Sequence, residues 1–297
     1  MLPKFNYAIP STLSEANDFL AQYGPETKII AGGTDLVLAL RQRRMNPRFV
    51  LDISGLDELR RIEEKEDHIV VGAACTHTQI SESSILRQWA GILSEASGSV
   101  GSRQIRNLGT IGGNLVNGSP AADTVPALMV LDAKLDIVSN NHRRQVLLPE
   151  FYKGPYHADL KPEEVLSSII IKKIPENAKC HFFRVARRKA MATARINGAV
   201  VLWQKKDGGP IENIRISIGS VTPIPCRMWE TEKLLNGTIP SEETIERACK
   251  LVGQAMVEAS GLRKSTEYKQ PVVCTLVNRA IKDTLAKDGG WKKPKSL

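Results

Sequence analysis

The chain has 297 residues, a formal net charge of +9, 42% hydrophobic residues and 25% charged residues. That length exceeds the usual size of one compact core, so two domains, or one domain of two lobes, is expected. The basic balance favours an anionic partner without choosing among a phosphorylated cofactor, an acidic protein face and a polynucleotide. Cys75, Cys180, Cys226, Cys249 and Cys274 are scattered, with no CxxC and no cysteine–histidine cluster. This spacing excludes a locally built zinc or iron–sulfur site and suits reduced thiols. The start Met1–Asn6 lacks a charged-then-apolar leader, and no run approaches the roughly 20 apolar residues that span a bilayer. The expectation is a soluble, cytoplasmic protein.

In chain order, Thr12–Tyr23 has helical spacing, with Leu13, Ala16, Phe19 and Leu20 on one face. It leads into a short strand, Lys28–Ala31, then a glycine turn, a helix over Asp35–Arg43 and a strand over Phe49–Ile53, which together form a β–loop–α–β unit. Ile69–Gly72 follows as a strand, and helical spacing runs through Ile80–Leu86 and Trp89–Ser97. A second glycine turn precedes a helix over Asp123–Leu131, where Pro126 sits early enough to cost little. Lys134–Val138 and Gln145–Leu148 read as paired strands, and Glu164–Ile171 as a β-branched strand. Glu63–Glu66 reads as a solvated turn. Beyond Pro175–Asn177, three strand-like runs (His181–Arg187, Gly198–Trp203, Ile211–Ile218) are followed by helical segments from Trp229, Glu242 and Pro271. Strands followed by helices indicate a separate α+β domain. The resulting division is 1–175, with lobes of 1–55 and 56–175, then 178–285, and a basic tail over 286–297.

The chemistry-bearing features are two glycine turns, Ile29-Ile30-Ala31-Gly32-Gly33-Thr34-Asp35-Leu36 and Thr110-Ile111-Gly112-Gly113-Asn114. Paired glycines let successive N–H groups converge on a phosphate, and Thr34 or Asp35 is placed to cap the following helix. Neither turn has the GxGxxG or GxxxxGK[ST] spacing. One Gly-Gly alone is more often an ordinary turn; two suit a pyrophosphate. Asp123 fits two roles, accepting from ribose or ribityl hydroxyls or capping its own helix. Read without further context, Arg184, Arg187 and Arg188 form a solvated strand edge.

Ala31–Leu36, the stretch Gln104-Ile105-Arg106-Asn107 running into Thr110–Asn114, and Ala122-Asp123 resemble the FAD-binding subunit of molybdenum hydroxylases. These are the xanthine, carbon monoxide and nicotinate dehydrogenase group, and the resemblance covers nearly the whole chain. It implies an α+β fold: a two-lobed FAD-binding domain of the vanillyl-alcohol oxidase type, then a C-terminal domain with a three-stranded antiparallel sheet and helices. It further implies that residues Ile29–Leu36 and Thr110–Asn114 enclose the FAD pyrophosphate, that Asp123 binds toward the ribose, and that Val100 and Gly101 border the cofactor. Leu166 would touch the ring system. Arg184 falls where relatives place a basic residue, often Lys, beside the flavin, where a cation stabilises negative charge on the reduced ring.

The resemblance implies non-covalent FAD, with molybdopterin and 2Fe–2S clusters on partner subunits and an acceptor such as NAD. His77, a lone loop histidine, reads as structural or solvent-facing rather than as a flavin attachment point. The 4Fe–4S loop of the hydroxybenzoyl-coenzyme A reductase branch is not expected, because four clustered thiols are lacking. No acid–base pair stands out among Asp52, Glu58 and Glu63–Glu66, so no catalytic side chain is assigned. Two other readings rank lower. A free-standing flavin oxidase or reductase would want Tyr, His and Glu clustered in the C-terminal part, and a nucleic-acid-binding protein would want aromatics among Arg41, Arg43, Arg44, Arg60 and Arg61.

Overall fold

The computed structural model describes residues 2–188 and 191–286; the expected basic tail beyond Ala286 lies outside them. The first lobe comprises β1 (Asn6–Ala8), α1 (Leu13–Tyr23), β2 (Thr27–Ile30), α2 (Leu36–Arg41) and β3 (Phe49–Asp52). Thr12 caps α1 by accepting from the Glu15 N–H at 3.1 Å. The apolar stripe of α1 then buries Ala16 and Leu20 against Leu51, Ile53 and Leu56. The three strands form a parallel sheet in the order β1-β3-β2, so the turn after β2 leaves the sheet at a strand's carboxyl end.

The second lobe contains β4 (Ile62–Glu64), β5 (His68–Gly72), α3 (His77–Glu82), α4 (Ser84–Trp89), α5 (Gly91–Gly98), α6 (Arg103–Leu108), α7 (Ile111–Asn117) and α8 (Thr124–Val130). It continues with β6 (Lys134–Val138), β7 (Arg143–Leu147), the small hairpin β8 (Tyr152–Gly154) and β9 (His157–Ala158), and β10 (Val165–Lys172). Five of these strands form an antiparallel sheet in the order β4-β5-β10-β6-β7. Glu63 and Glu64 therefore lie within β4 rather than in a solvated turn. Glu64 accepts from Lys173 Nζ at 2.7 Å and Trp89 Nε1 at 2.9 Å, contacts between distant segments that no local pattern encodes.

The C-terminal part comprises β11 (Lys179–Ala186), β12 (Ala194–Gln204), β13 (Ile211–Gly219), β14 (Cys226–Arg227), α9 (Trp229–Leu235), α10 (Glu242–Ser260) and α11 (Thr266–Ala286). The three expected antiparallel strands are present, and the two-residue β14 extends the sheet to the order β11-β12-β13-β14. α11 starts five residues before Pro271. β12 is apolar from Ala199 to Trp203 because both its faces are covered. Ala199 and Val201 join the core of the second lobe, whereas Val200 and Leu202 join the core under α10 and α11. The seam is also charged: Arg227 Nη1 donates to the Met129 carbonyl at 3.1 Å and pairs with Asp132, while its Nη2 meets Glu232 at 2.7 Å.

Candidate functional site

The two glycine turns meet. A Cβ built on Gly32 would lie 1.9 Å from the Leu108 carbonyl oxygen and 2.9 Å from Gly109 Cα, so the first turn packs directly on the backbone that enters the second. Only hydrogen at Gly32 permits that approach. Gly33 has φ +68°, the left-handed region in which a side chain is strained. One side-chain bond crosses the junction, Asn117 Nδ2 donating to Asp35 Oδ1 at 3.3 Å, and Thr124 Oγ1 of α8 donates to Asn114 Oδ1 at 2.6 Å.

The two turns differ in what they offer an anion. The N–H groups of Gly32, Gly33, Thr34 and Asp35 meet no acceptor among the described residues. Asp35 occupies the N-cap position of α2 without a capping hydrogen bond, so the expected cap is not formed there. In the second turn the expectation of free amides is corrected. Gly112 and Gly113 lie in the first turn of α7, and every amide from 111 to 114 is used. Ile111 donates to Cys75 O at 3.0 Å, Gly112 to Ala73 O at 2.8 Å, Gly113 to Thr110 Oγ1 at 3.1 Å and Asn114 to Thr110 O at 3.0 Å. A Cβ on Gly112 would meet Ala73 Cβ at 2.7 Å, whereas one on Gly113 would meet only Thr110 Oγ1, at 3.0 Å, and otherwise open space. Gly113 therefore forms an exposed, side-chain-free floor beside the open amides.

Asp123 begins α8 without capping it, which removes one of its two expected roles. Its carboxylate accepts from Arg184 Nε at 3.0 Å and Asn197 Nδ2 at 2.9 Å, and Arg184 also donates to the Ala192 carbonyl. Burial pushes the Asp123 carboxyl above its ordinary value, while Asn197 and Arg184 pull it back. Arg184 is thus no solvated edge residue: its side chain is 13% exposed and paired, whereas Arg187 and Arg188 are exposed. His77 opens α3, buried, with its amide on the Gly109 carbonyl at 3.0 Å. Its Nδ1 has no partner, and burial, helped by the nearby Arg106 charge, lowers its pKa to about 4. The neutral imidazole, on α3, packs beneath Gly109, neither in a loop nor facing solvent.

Residues 3–174 match the family described as "FAD binding domain in molybdopterin dehydrogenase", and residues 181–284 match "CO dehydrogenase flavoprotein C-terminal domain". The chain belongs to the FAD-binding family of molybdopterin dehydrogenases. It is 33% identical to the nicotinate dehydrogenase FAD-subunit of Eubacterium barkeri, over 95% of this chain and 96% of that one. It is 32% identical to a xanthine dehydrogenase FAD-binding subunit of Escherichia coli, over 96% and 97% of the two chains. A carbon monoxide dehydrogenase from Hydrogenophaga pseudoflava, a form lacking the Mo-pyranopterin moiety, superposes with a TM-score of 0.90. It is 27% identical and is covered to 99%, against 96% of this chain.

In this FAD-binding oxidoreductase subunit, the other expected site residues are Val100, Gly101 and Leu166. Val100 accepts from Arg106 Nη1 at 3.0 Å and Gly101 has φ +50°; both precede α6, whose far end runs into Gly109. Leu166 is 4% exposed, in the second-lobe core, at the bulge where the β10–β6 register shifts. Sequence reasoning missed Asn197, which is fully buried in β12 and touches Asp123. The available signal was an amide side chain inside the apolar run Ile196–Val201, because a buried polar group in a central strand demands a partner. No helix of the described residues is long and apolar enough to cross a membrane, and no group of three or more metal-ligating residues occurs among them.

Proposed function

We propose that this chain is the flavin relay of a cytoplasmic molybdenum hydroxylase complex. FAD held here would take electrons from 2Fe–2S clusters on a small partner, downstream of a molybdopterin centre on a large one, and deliver them to an acceptor such as NAD. The observation that carries this reading is the junction of the turns: four unclaimed amides at Gly32–Asp35 beside the open floor at Gly113. Convergent backbone donors neutralise a diphosphate without a buried cation, and a side chain at Gly113 would fill the space they face.

In this reading Ile29–Leu36 hold the pyrophosphate, with the Gly32–Asp35 amides as donors, and Thr110–Asn114 supply the close wall. The Asp123 carboxylate, kept in place by Asn197, points toward ribose hydroxyls, while Arg184 offers positive charge to the flavin edge. Val100, Gly101 and Leu166 border the cofactor. The FAD-binding unit is residues 1–175, with lobes 1–55 and 56–175, and 178–285 form the unit that closes it. The family relation to flavoprotein subunits supports this assignment.

The test is purification of the chain and of its complex. The expected result is a yellow protein whose flavin is released by acid as intact FAD, in about one copy per chain, together with co-purification of a 2Fe–2S chain and a molybdopterin chain. Colourless protein that FAD cannot reconstitute would overturn the assignment.

A further inference from the structure

We propose that a second cavity, between the Ser220 turn and the start of α11, binds a phosphate-bearing organic anion. The cavity measures about 270 Å³ and is lined by Ser220, Val221, Met256, Arg263, Ser265 and Lys269 among others, with no carboxylate in its wall. None of the residues assigned above to FAD lines it, so the inference does not rest on the flavin reading.

The polar groups there are arranged to donate. Lys269 Nζ gives one hydrogen bond to the Ser220 carbonyl, at 2.8 Å, and keeps two protons for a ligand. Arg263 Nε is spent on the Ser260 carbonyl at 2.9 Å, which fixes the guanidinium while its two terminal nitrogens meet no acceptor among the described residues. No ion pair joins Arg263 or Lys269 to an acid among the described residues. Burial, with the Arg195 and Arg263 charges nearby, makes the Lys269 proton easier to lose than usual, and an anion in the cavity would offset the repulsion.

The Ser220 turn supplies the remaining edge. Ser220 has φ +66°, a conformation that a serine rarely holds, and its N–H donates to the Pro120 carbonyl at 2.8 Å. Val221, Met256 and three prolines form an apolar wall opposite the cations. One apolar wall facing cations and hydroxyls suits an organic body carrying a phosphate better than inorganic phosphate alone.

The probes are AMP and inorganic phosphate, titrated calorimetrically into the full chain, both FAD-loaded and FAD-free, at low ionic strength. Saturable 1:1 AMP binding is expected in the FAD-loaded form, whose flavin site is filled. AMP should bind more tightly than phosphate and about tenfold more weakly in each of Lys269→Met and Arg263→Gln, as loss of a charged donor implies. Neither variant should change FAD content. Absent AMP binding, equal affinity for AMP and phosphate, or AMP affinity unaltered in both variants overturns the proposal. AMP binding to a chain that never takes up FAD would sustain this site while defeating the flavin assignment; FAD uptake without AMP binding does the reverse.

Discussion

Gly113→Val separates a glycine that serves a ligand from one that serves the fold. Beyond its chain neighbours and its own helix backbone, the new Cβ would meet only Thr110 Oγ1, at 3.0 Å. Replacing a helical glycine recovers up to about 0.5 kcal/mol of propensity, since valine is itself a modest helix former. Crowding the Thr110 cap costs at most about 1 kcal/mol. The net change in folding stability is therefore within about 1 kcal/mol, a shift in Tm of no more than about 4 °C. In the FAD-bound state the same branch occupies the space the pyrophosphate needs, and such overpacking costs about 1–3 kcal/mol. With 1.4 kcal/mol per decade, FAD binding weakens about 5- to 140-fold. Flavin fluorescence quenching on titrating FAD into the apo-chain, paired with a thermal melt, reads both quantities. A variant that melts like the parent and binds FAD as tightly would refute the placement of the diphosphate against Gly113.

Gly32→Ala should behave oppositely: its Cβ would press on the Leu108 carbonyl at 1.9 Å, so urea unfolding should show a loss of about 1–3 kcal/mol or more even without FAD. Arg184→Met should destabilise the chain by about 3–5 kcal/mol at pH 7, because Asp123 would remain buried with Asn197 alone. Asp123 already holds its proton more tightly folded than unfolded, so its ionisation costs stability as pH rises above the ordinary 3.8; urea midpoints at pH 7 and pH 4 should show the deficit of the variant shrinking in acid. His77 shifts the other way, from 6.5 to about 4, so folding should lose about 3 kcal/mol as pH falls through that window, and His77→Leu should flatten that part of the stability–pH curve. Arg227→Met strands the buried Glu232 and cuts the link to Met129 and Asp132, which predicts a loss of about 3–5 kcal/mol in calorimetry.

The elements that announced themselves in the sequence are those whose pattern is local. α1 carries its stripe and its Thr12 cap, and β2, β3 and β10 are short β-branched runs ended by glycine or proline. α7 was hidden because two adjacent glycines argue against a helix; it forms because Thr110 caps it and because Gly112 must lie flat on Ala73. β14 is two residues long and exists only through its pairing with Ser217 and Ile218. At the site, the glycine positions were legible, but their separate duties were not. Gly32 and Gly112 are small because backbone and Ala73 crowd them, facts of tertiary approach that spacing alone cannot report.

The C-terminal part bears on the proposed cofactor site through a side chain of the second lobe. Asp123 belongs to the second lobe, yet both groups that hydrogen-bond its carboxylate, Arg184 and Asn197, come from β11 and β12. Without them the carboxylate would lose its charge-assisted bonds, and its direction would be set only by its own rotamers. The C-terminal sheet therefore fixes a side chain it does not own. Asn197 also accepts from Ser220 Oγ at 3.5 Å, and Ser220 accepts from Lys269, so the cavity at α11 and the carboxylate at α8 share one hydrogen-bonded path.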